Sequence, residues 1–324
     1  MVEISFPGLG IDWFAIKNVA FTVFGKEIMW YGIFICLGMI LAYFYATTRG
    51  KLEGVSSDDL LDLAFFVILF GIVGARLYYV AFAPSSYIAK GGSFWNNVWA
   101  TIVNVVSIWE GGLAIFGGIL AGALAAFLVA RHKKIPFPKI LDILAPSVMI
   151  GQIIGRWGNF MNAEAYGAET KLPWRMGIRR VSAGGLYSSV VEVHPTFLYE
   201  SLWNLLGFVL IAVFYKKKKF NGQVIYFYMI WYGLGRAMIE GLRSDSLYVP
   251  GTALRVSQLV AILACLAGVA LMILGYRRLK NAPAAGAFAE AEADAAEEII
   301  MDAEVVETAD AEETEENNDG SEDH

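Results

Sequence analysis

Three arginines, Arg76, Arg156 and Arg236, each sit inside a run of apolar residues long enough to be a membrane helix, where lipid has nothing to solvate a guanidinium. A charge at mid-bilayer costs about 2.5 to 3.5 kcal/mol on insertion scales, so an arginine kept there marks a functional site and demands a polar partner. The densest polar group closes the fourth apolar run, where Arg156 is followed by Asn159, Asn162 and Glu164. In the sixth run Tyr232, Arg236, Glu240 and Arg243 stand at offsets 0, 4, 8 and 11. At about 100° per residue that spacing keeps all four within an arc of roughly 80° on one helix face. Guanidinium grips a phosphate in a planar, two-pronged way, and the plentiful anion at this depth is a phospholipid phosphate. The asparagines offer amides to glyceryl or ester oxygens, or else cap the end of their helix. Glu240 is either part of that site or simply the i,i+4 partner of Arg236. Arg76 and Arg156 have no such acid on their own helices, so the expectation is a surplus of buried positive charge that wants an external anion.

The elements that must carry these groups follow from composition. The 324 residues are 57% hydrophobic and only 17% charged, with mean hydropathy +0.52, which excludes an ordinary soluble domain and predicts a polytopic membrane protein. The formal charge of -6 is uneven: 16 of the 31 acids fall in residues 283–324, which hold no Lys or Arg, so residues 1–282 set 25 basic residues against 15 acids, a net of +10. An embedded, basic body at 1–280 and an acidic, disordered tail at 281–324 are therefore expected. Cys36 and Cys265 lie in apolar runs and read as buried structural thiols. The N-terminus lacks the pattern of a cleaved signal peptide, so the first apolar run is expected to remain as a helix.

The fold class expected is an all-α polytopic membrane protein with seven transmembrane helices at about 27–46, 60–82, 112–131, 139–157, 195–215, 222–242 and 256–276. Basic clusters at Arg49 and Lys51, at Arg131, Lys133 and Lys134, at Lys216, Lys217, Lys218 and Lys219, and at Arg277, Arg278 and Lys280 follow the first, third, fifth and seventh runs. The positive-inside rule then puts the N-terminus outside and the C-terminus in the cytoplasm. Two long outer connections remain, about 83–111 and 158–194; the second reads as a small head, and Trp95, Trp99, Trp109, Trp157 and Trp174 suit an interfacial belt. At 1.5 Å per residue Arg76, Arg156 and Arg236 fall roughly 24, 25 and 21 Å along runs that all start inside, so the three are expected to meet in the outer half of the bilayer. Gly151 with Gly155, Gly118 with Gly122, and Gly71 near Gly74 read as close helix approaches. No internal repeat supports an inverted-repeat transporter.

The run at residues 155–167, GRWGNFMNAEAYG, resembles the signature of the bacterial prolipoprotein diacylglyceryl transferases position for position. Trp30-Tyr31-Gly32, Gly74-Ala75-Arg76, Gly111-Gly112-Leu113-Ala114-Ile115, His194-Pro195, Tyr199-Glu200 and the stretch from Tyr232 to Arg243 extend the likeness over about residues 1–280. The resemblance implies transfer of an sn-1,2-diacylglyceryl group from phosphatidylglycerol to the lipobox cysteine thiol of an exported prolipoprotein, with release of glycerol-1-phosphate. It also implies a plasma-membrane enzyme of seven helices whose site faces the outer leaflet. Arg156 and Arg236 match the arginines tied to lipid binding and activity, and Tyr31, Tyr232, Asn159, Glu164 and Arg243 are carried over with them.

One position departs from the family. Phe116 stands where many relatives have His or Tyr, a residue often proposed as base toward the incoming thiol, and phenylalanine takes no proton. Of the three histidines, His132 is expected in the cytoplasm and His324 ends the tail, which leaves His194 as a candidate base or as an orienting residue at the start of the fifth run. Tyr232 is a second candidate, for a proton relay, for the phosphate, or for plain packing. A thiol of pKa about 8.5 also ionises more readily beside cations, so the arginines alone offer a third route. The catalytic set expected is Arg156, Arg236, Tyr232 and His194. The phosphatidylglycerol-binding set is Arg156, Arg236, Arg76, Tyr31, Asn159, Asn162, Glu164, Glu240 and Arg243. Neither a metal nor a cofactor is expected, nor a nucleic-acid partner, and the protein is expected to act as a monomer. Two readings from other classes stay open: a lipid transporter that moves the anion unchanged, and a scaffold in which the charges are structural.

Overall fold

The computed structural model describes residues 1–281 except 89–90, 109–110, 183–184 and 250. Trp109 and the acidic tail lie outside the described residues. Residues 1–272 form one compact unit; the other, Ile273–His324, is described only over the end of the last helix.

Among the described residues, eight α-helices carry most of the structure: α1 (Trp30–Leu52), α2 (Ser57–Phe82), α3 (Phe94–Val106), α4 (Ile115–His132), α5 (Phe137–Met161), α6 (Thr196–Phe214), α7 (Gln223–Glu240) and α8 (Val256–Asn281). Six of them, α1, α2, α4, α5, α6 and α8, are long and apolar enough to cross a membrane. The sixth expected span, 222–242, corresponds to α7, whose 18 residues include Tyr226, Tyr228, Trp231, Tyr232, Arg236 and Glu240. These polar and amphipathic residues dilute its apolar character. Side chains such as Leu120 on α4, Leu69 on α2 and Leu206 on α6 are exposed, as suits helices that face lipid.

The expectation of an all-α protein is corrected by six strands among the described residues. β1 (Val2–Phe6), β2 (Ile11–Ile16), β5 (Met176–Arg180) and β6 (Val191–Val193) form one sheet in the order β2-β1-β5-β6, all neighbours antiparallel. β3 (Val19–Val23) and β4 (Lys26–Met29) form a hairpin. Its turn places Phe24 at φ 48° and Gly25 at φ 76°, the pair of left-handed residues that a two-residue hairpin needs. Because β1 pairs with β5, the N-terminal residues and the 158–194 segment build one head, with Ile4, Ile178, Val193 and Phe197 in its core. The pairing that joins the head, β1 with β5, was missed because the two strands lie far apart in the chain.

Small residues decide how the helices meet. A methyl group on Gly74 of α2 would overlap Ala121 and the backbone of Gly117 on α4, and one on Gly118 would lie 3.3 Å from the carbonyl oxygen of Gly71. On the other side, one on Gly38 of α1 would lie 3.3 Å from the Cα of Gly151 on α5, and Gly155 faces Ile35. The expected glycine contacts are thus interhelical seams α2–α4 and α1–α5. The thiols divide differently from expectation: Cys36 is exposed on α1 and Cys265 is half-buried. A small thiol on a lipid-facing helix is as well solvated by hydrocarbon as by protein.

Two devices set the start of helices that matter below. Ser56 caps α2 by accepting the Asp59 N–H at 3.0 Å, with Asp58 and Asp59 in the first turn. Asp142 of α5, fully buried, takes the N–H groups of Gly222 at 2.7 Å and of Val224 and Ile225 at 3.0 Å, and so holds the first turn of α7 from a neighbouring helix.

Candidate functional site

Glu200, one turn into α6 and only 4% exposed, is the hub of the polar cluster. Arg156 of α5 brings Nη2 to 2.7 Å from Glu200 Oε2, and Arg236 of α7 donates from Nη1 to Glu200 Oε1 at 2.8 Å. Arg243, just past α7, stands 3.6 Å from the same Oε1. Two arginines predicted to converge from separate helices therefore do so on one carboxylate. Arg236 also pairs with Glu240 at 2.6 Å, the i,i+4 contact expected, and Glu240 is 2% exposed. Arg255 from the start of α8 donates to the Glu240 carbonyl oxygen. The Arg156–Glu200 and Arg236–Glu240 contacts at the Oε2 atoms are close but lack hydrogen-bond alignment, so both buried oxygens keep accepting capacity.

The expectation of surplus positive charge is corrected here. It counted acids helix by helix, and the acid for Arg156 comes from α6. With Asp245 bound to Arg243 at 2.8 Å, three arginines face three carboxylates. Burial alone would raise the Asp245 carboxyl, but the hydrogen bonds and charge of Arg243 outweigh it and hold that group below the usual carboxylate range. Burial works against the Arg243 charge as well, and Asp245, Glu200 and Glu240 overcome it and keep the guanidinium firmly protonated.

Around the hub, Arg156 Nη1 donates to Asn159 Oδ1 at 3.0 Å, and the amides of Asn159 and Asn162 donate to Glu164 Oε1 at 2.9 and 3.2 Å. Ala163 and Ala165 flank Glu164 at φ 47° and 57°, a conformation that costs a non-glycine residue about 1 kcal/mol or more and persists only where surroundings impose it. The turn is imposed by Thr196, which donates to the Ala165 carbonyl, and by Ala168 N–H to Leu242 O at 2.7 Å, which ties it to the chain leading into Arg243. A cavity of about 380 Å³ lined by Lys17, Asn18, Met161, Asn162 and Arg180 opens beside this turn from the head.

The remaining expected residues are distributed unevenly. Tyr31 lies on α1 against Gly158, two residues from Arg156 on α5, so its ring packs over that helix. Tyr232 shares the α7 face with Arg236 and stacks on Tyr228 at 5.5 Å. His194 meets Tyr199 through Nδ1 at 3.3 Å, and Tyr199 accepts from Trp174 Nε1 at 2.7 Å. Its main chain takes the Gly167 N–H at 2.9 Å and donates to Ala168 O at 3.0 Å, so it also anchors the strained turn. Phe116 is half-buried in the first turn of α4.

Arg76 departs from its expected place in the phosphate site. Its Nε and Nη atoms donate to the carbonyls of Asn104, Val105, Ser107, Gly111 and Gly112 and to the Tyr87 hydroxyl, with the Tyr87 ring 4.7 Å from its carbon centre. Five N–H groups meet six acceptors, and the residue is 4% exposed. It therefore has no donor to spare for a lipid and instead ties α3 and the connection to α4 onto α2. Gly112, at φ 75°, is needed there because a Cβ would overlap Tyr87 and the guanidinium.

Glu200 is the member that sequence reasoning passed over as a site residue. Its signal was the one used for the arginines: it is the sole acid in a 19-residue apolar helix. Asp245 and Arg255 had no comparable signal, since both lie in a polar connection.

Residues 18–274 match the family model described as prolipoprotein diacylglyceryl transferase. A phosphatidylglycerol–prolipoprotein diacylglyceryl transferase of Finegoldia magna is 46% identical over 257 residues, 79% of this chain and 94% of that protein. Similarly named proteins of Streptococcus suis and Clostridium novyi are 42% identical over 78% of this chain and 39% over 79%, with 90% and 94% of their own lengths covered.

Proposed function

The chain belongs to the prolipoprotein diacylglyceryl transferase family, and on that premise we propose that it transfers the sn-1,2-diacylglyceryl group of phosphatidylglycerol to the lipobox cysteine thiol of exported prolipoproteins. The observation that carries the reading is the pairing of Arg156 and Arg236, from α5 and α7, on the buried Glu200 of α6. In the reaction the cysteine sulfur attacks the glyceryl carbon that bears the phosphate. A carbon–sulfur bond forms, the carbon–oxygen bond breaks, and glycerol-1-phosphate leaves with the electron pair. The charge that gathers on the departing phosphate is met by guanidinium groups already fixed in place, and electrostatic preorganisation of this kind is worth several kcal/mol, roughly 10² to 10³ per donor in comparable sites.

In this reading Arg156, Arg236 and Arg243 face the phosphate, and Glu200 and Glu240 hold them in register. Asn159 and Asn162, kept by Glu164, face the glyceryl oxygens, with Tyr31 and Tyr232 flanking. Arg76 acts on the site only by fixing the α3 connection. We place the site toward the outer leaflet of a bacterial plasma membrane, with seven crossings including α7, the N-terminus outside and the acidic tail in the cytoplasm. The basic clusters and the shared head of β1 and β5 support that orientation. The thiol proton has Tyr232 and bulk water beside the cations as outlets, and His194 serves as an anchor, as its main-chain contacts suggest. The step as written calls for no cofactor, and one chain holds every residue assigned.

Purified protein incubated with labelled phosphatidylglycerol and a lipobox peptide tests the proposal. The peptide gains the mass of a diacylglyceryl group with the wild type, and Arg156→Ala and Arg236→Ala lose that product while remaining folded. Unmodified peptide alongside transported lipid would favour the carrier reading, and loss of folding in both variants the scaffold.

A further inference from the structure

α6 and α7 are joined by a reciprocal pair of tryptophans. Trp203 of α6 donates its indole N–H to the carbonyl oxygen of Trp231 on α7 at 2.9 Å, and Trp231 donates to the carbonyl oxygen of Trp203 at 2.9 Å. The two rings stack at 4.5 Å with planes 18° apart. Each ring also occupies a notch one turn along the opposite helix. A Cβ on Gly235 of α7 would overlap the Trp203 indole, and one on Gly207 of α6 would overlap the Trp231 indole. The sequence supplies the same unit twice, Trp203 with Gly207 and Trp231 with Gly235, each at i,i+4. Two notches and two directed hydrogen bonds allow one axial setting of the helices, because a slide of one residue, about 1.5 Å, takes both indoles out of reach of their carbonyls.

The position of this lock matters because of what lies next to it. Trp203 is three residues from Glu200, and Gly235 precedes Arg236. The Glu200–Arg236 contact at 2.8 Å spans the same two helices, about one turn away. α7 is not among the helices apolar enough to set their own depth in a bilayer, so its register must come from directed contacts. Asp142 supplies one at its N-terminal end, and the tryptophan pair supplies one beside the site. We propose that Trp203 and Trp231 are positioning residues for diacylglyceryl transfer, acting through the axial register of Arg236 against Glu200. This rests on the reading of the Glu200 cluster as the reacting site.

The test is a double-mutant cycle on the full chain in detergent, with kcat and KM for phosphatidylglycerol measured for Trp203→Phe, Glu200→Gln and the double variant, and with thermal unfolding followed in parallel. Phenylalanine keeps an aromatic ring at the notch and removes the indole N–H together with the area of the second ring. Trp203→Phe is expected to lower kcat about ten-fold with little change in KM. The double variant is expected to be no slower than Glu200→Gln alone, since both act through one contact. Trp231→Phe should repeat the pattern. Leu63→Val, a change in a separate core cluster with Ala126 that holds neither tryptophan, should lower the unfolding midpoint without coupling to Glu200→Gln. Losses that multiply in the double variant, or wild-type kcat in Trp203→Phe, overturn the proposal. So does failure of both phenylalanine variants to fold while Leu63→Val folds, which makes the pair a folding element. A Glu200→Gln enzyme at wild-type rate would instead sink the site reading beneath it.

Discussion

Changing Glu200 to glutamine removes one charge from a cluster in which three arginines face three carboxylates, and leaves the shape nearly unaltered. Glu200 is 4% exposed and has contacts of 2.7 and 2.8 Å to two guanidinium groups, so water does little to replace it. Deleting one partner of such a buried pair costs about 3 to 5 kcal/mol. The glutamine oxygen still accepts a hydrogen bond worth about 1 kcal/mol, which leaves a net loss of about 2 to 4 kcal/mol. If that loss falls on the transition state, kcat drops by about 30- to 1000-fold, at 1.36 kcal/mol per decade. Lipid changes the balance, because a bound phosphate returns the missing negative charge. Saturating phosphatidylglycerol should therefore raise the unfolding midpoint of Glu200→Gln by more than it raises that of the wild type, with stabilisation of about 2.7 kcal/mol at one hundred times Kd as a yardstick. The assays are product mass for kcat and thermal unfolding with and without lipid. Wild-type kcat in the variant, or equal lipid shifts for both proteins, would refute the assignment of Glu200 as organiser of the phosphate site.

Arg76→Lys replaces five planar donors with three and leaves buried carbonyls at Asn104, Val105 and Ser107 short of partners; unfolding should come about 2 to 4 kcal/mol sooner, with KM for phosphatidylglycerol unchanged, and a large KM increase would return Arg76 to the lipid site. Gly74→Ala forces a methyl group into the backbone of α4, and a stability loss of about 1 to 3 kcal/mol is expected in denaturant titration. The Asp245 carboxyl is held below its ordinary value by Arg243, so its contribution is fully present above the unfolded pKa near 3.9 and is lost only as pH falls through the lower folded value. At half exposure that contribution is below about 1 kcal/mol; Asp245→Asn should remove this acid-limb dependence from the unfolding midpoint and leave values above about pH 5 parallel to wild type. His194→Ala and Phe116→His, assayed together, settle the base: the reading of His194 as an anchor expects transfer to persist in His194→Ala at a rate within about ten-fold of wild type, and complete loss with an intact fold would make it the base.

The α7 face was legible in the sequence because the offsets of Tyr232, Arg236, Glu240 and Arg243 are a one-dimensional pattern that any α-helix turns into a common face. The meeting of Arg156 with Arg236 was legible for a similar reason, since rise per residue and a common starting side place both at similar depth. The glycine seams also showed in spacing alone, although which helix answers which glycine did not.

What tertiary structure alone decided was the choice of partners. Glu200 neutralises Arg156 from another helix, and no count along α5 reveals it. Arg76 and Arg156 look alike as arginines in apolar runs, yet one is saturated by backbone carbonyls of the end of α3 and the connection after it, and the other faces a carboxylate. Backbone carbonyls belong to every residue and carry no side-chain signature, so a site built from them is invisible until the chain is folded. The β1–β5 pairing that closes the head escaped for the same reason, because its two strands lie about 175 residues apart. The sequence by itself determined where charge must enter the apolar helices and on which face, through periodicity and the cost of burying charge. Only the fold decided which opposite charge or carbonyl each one meets, because that depends on contacts between segments distant along the chain.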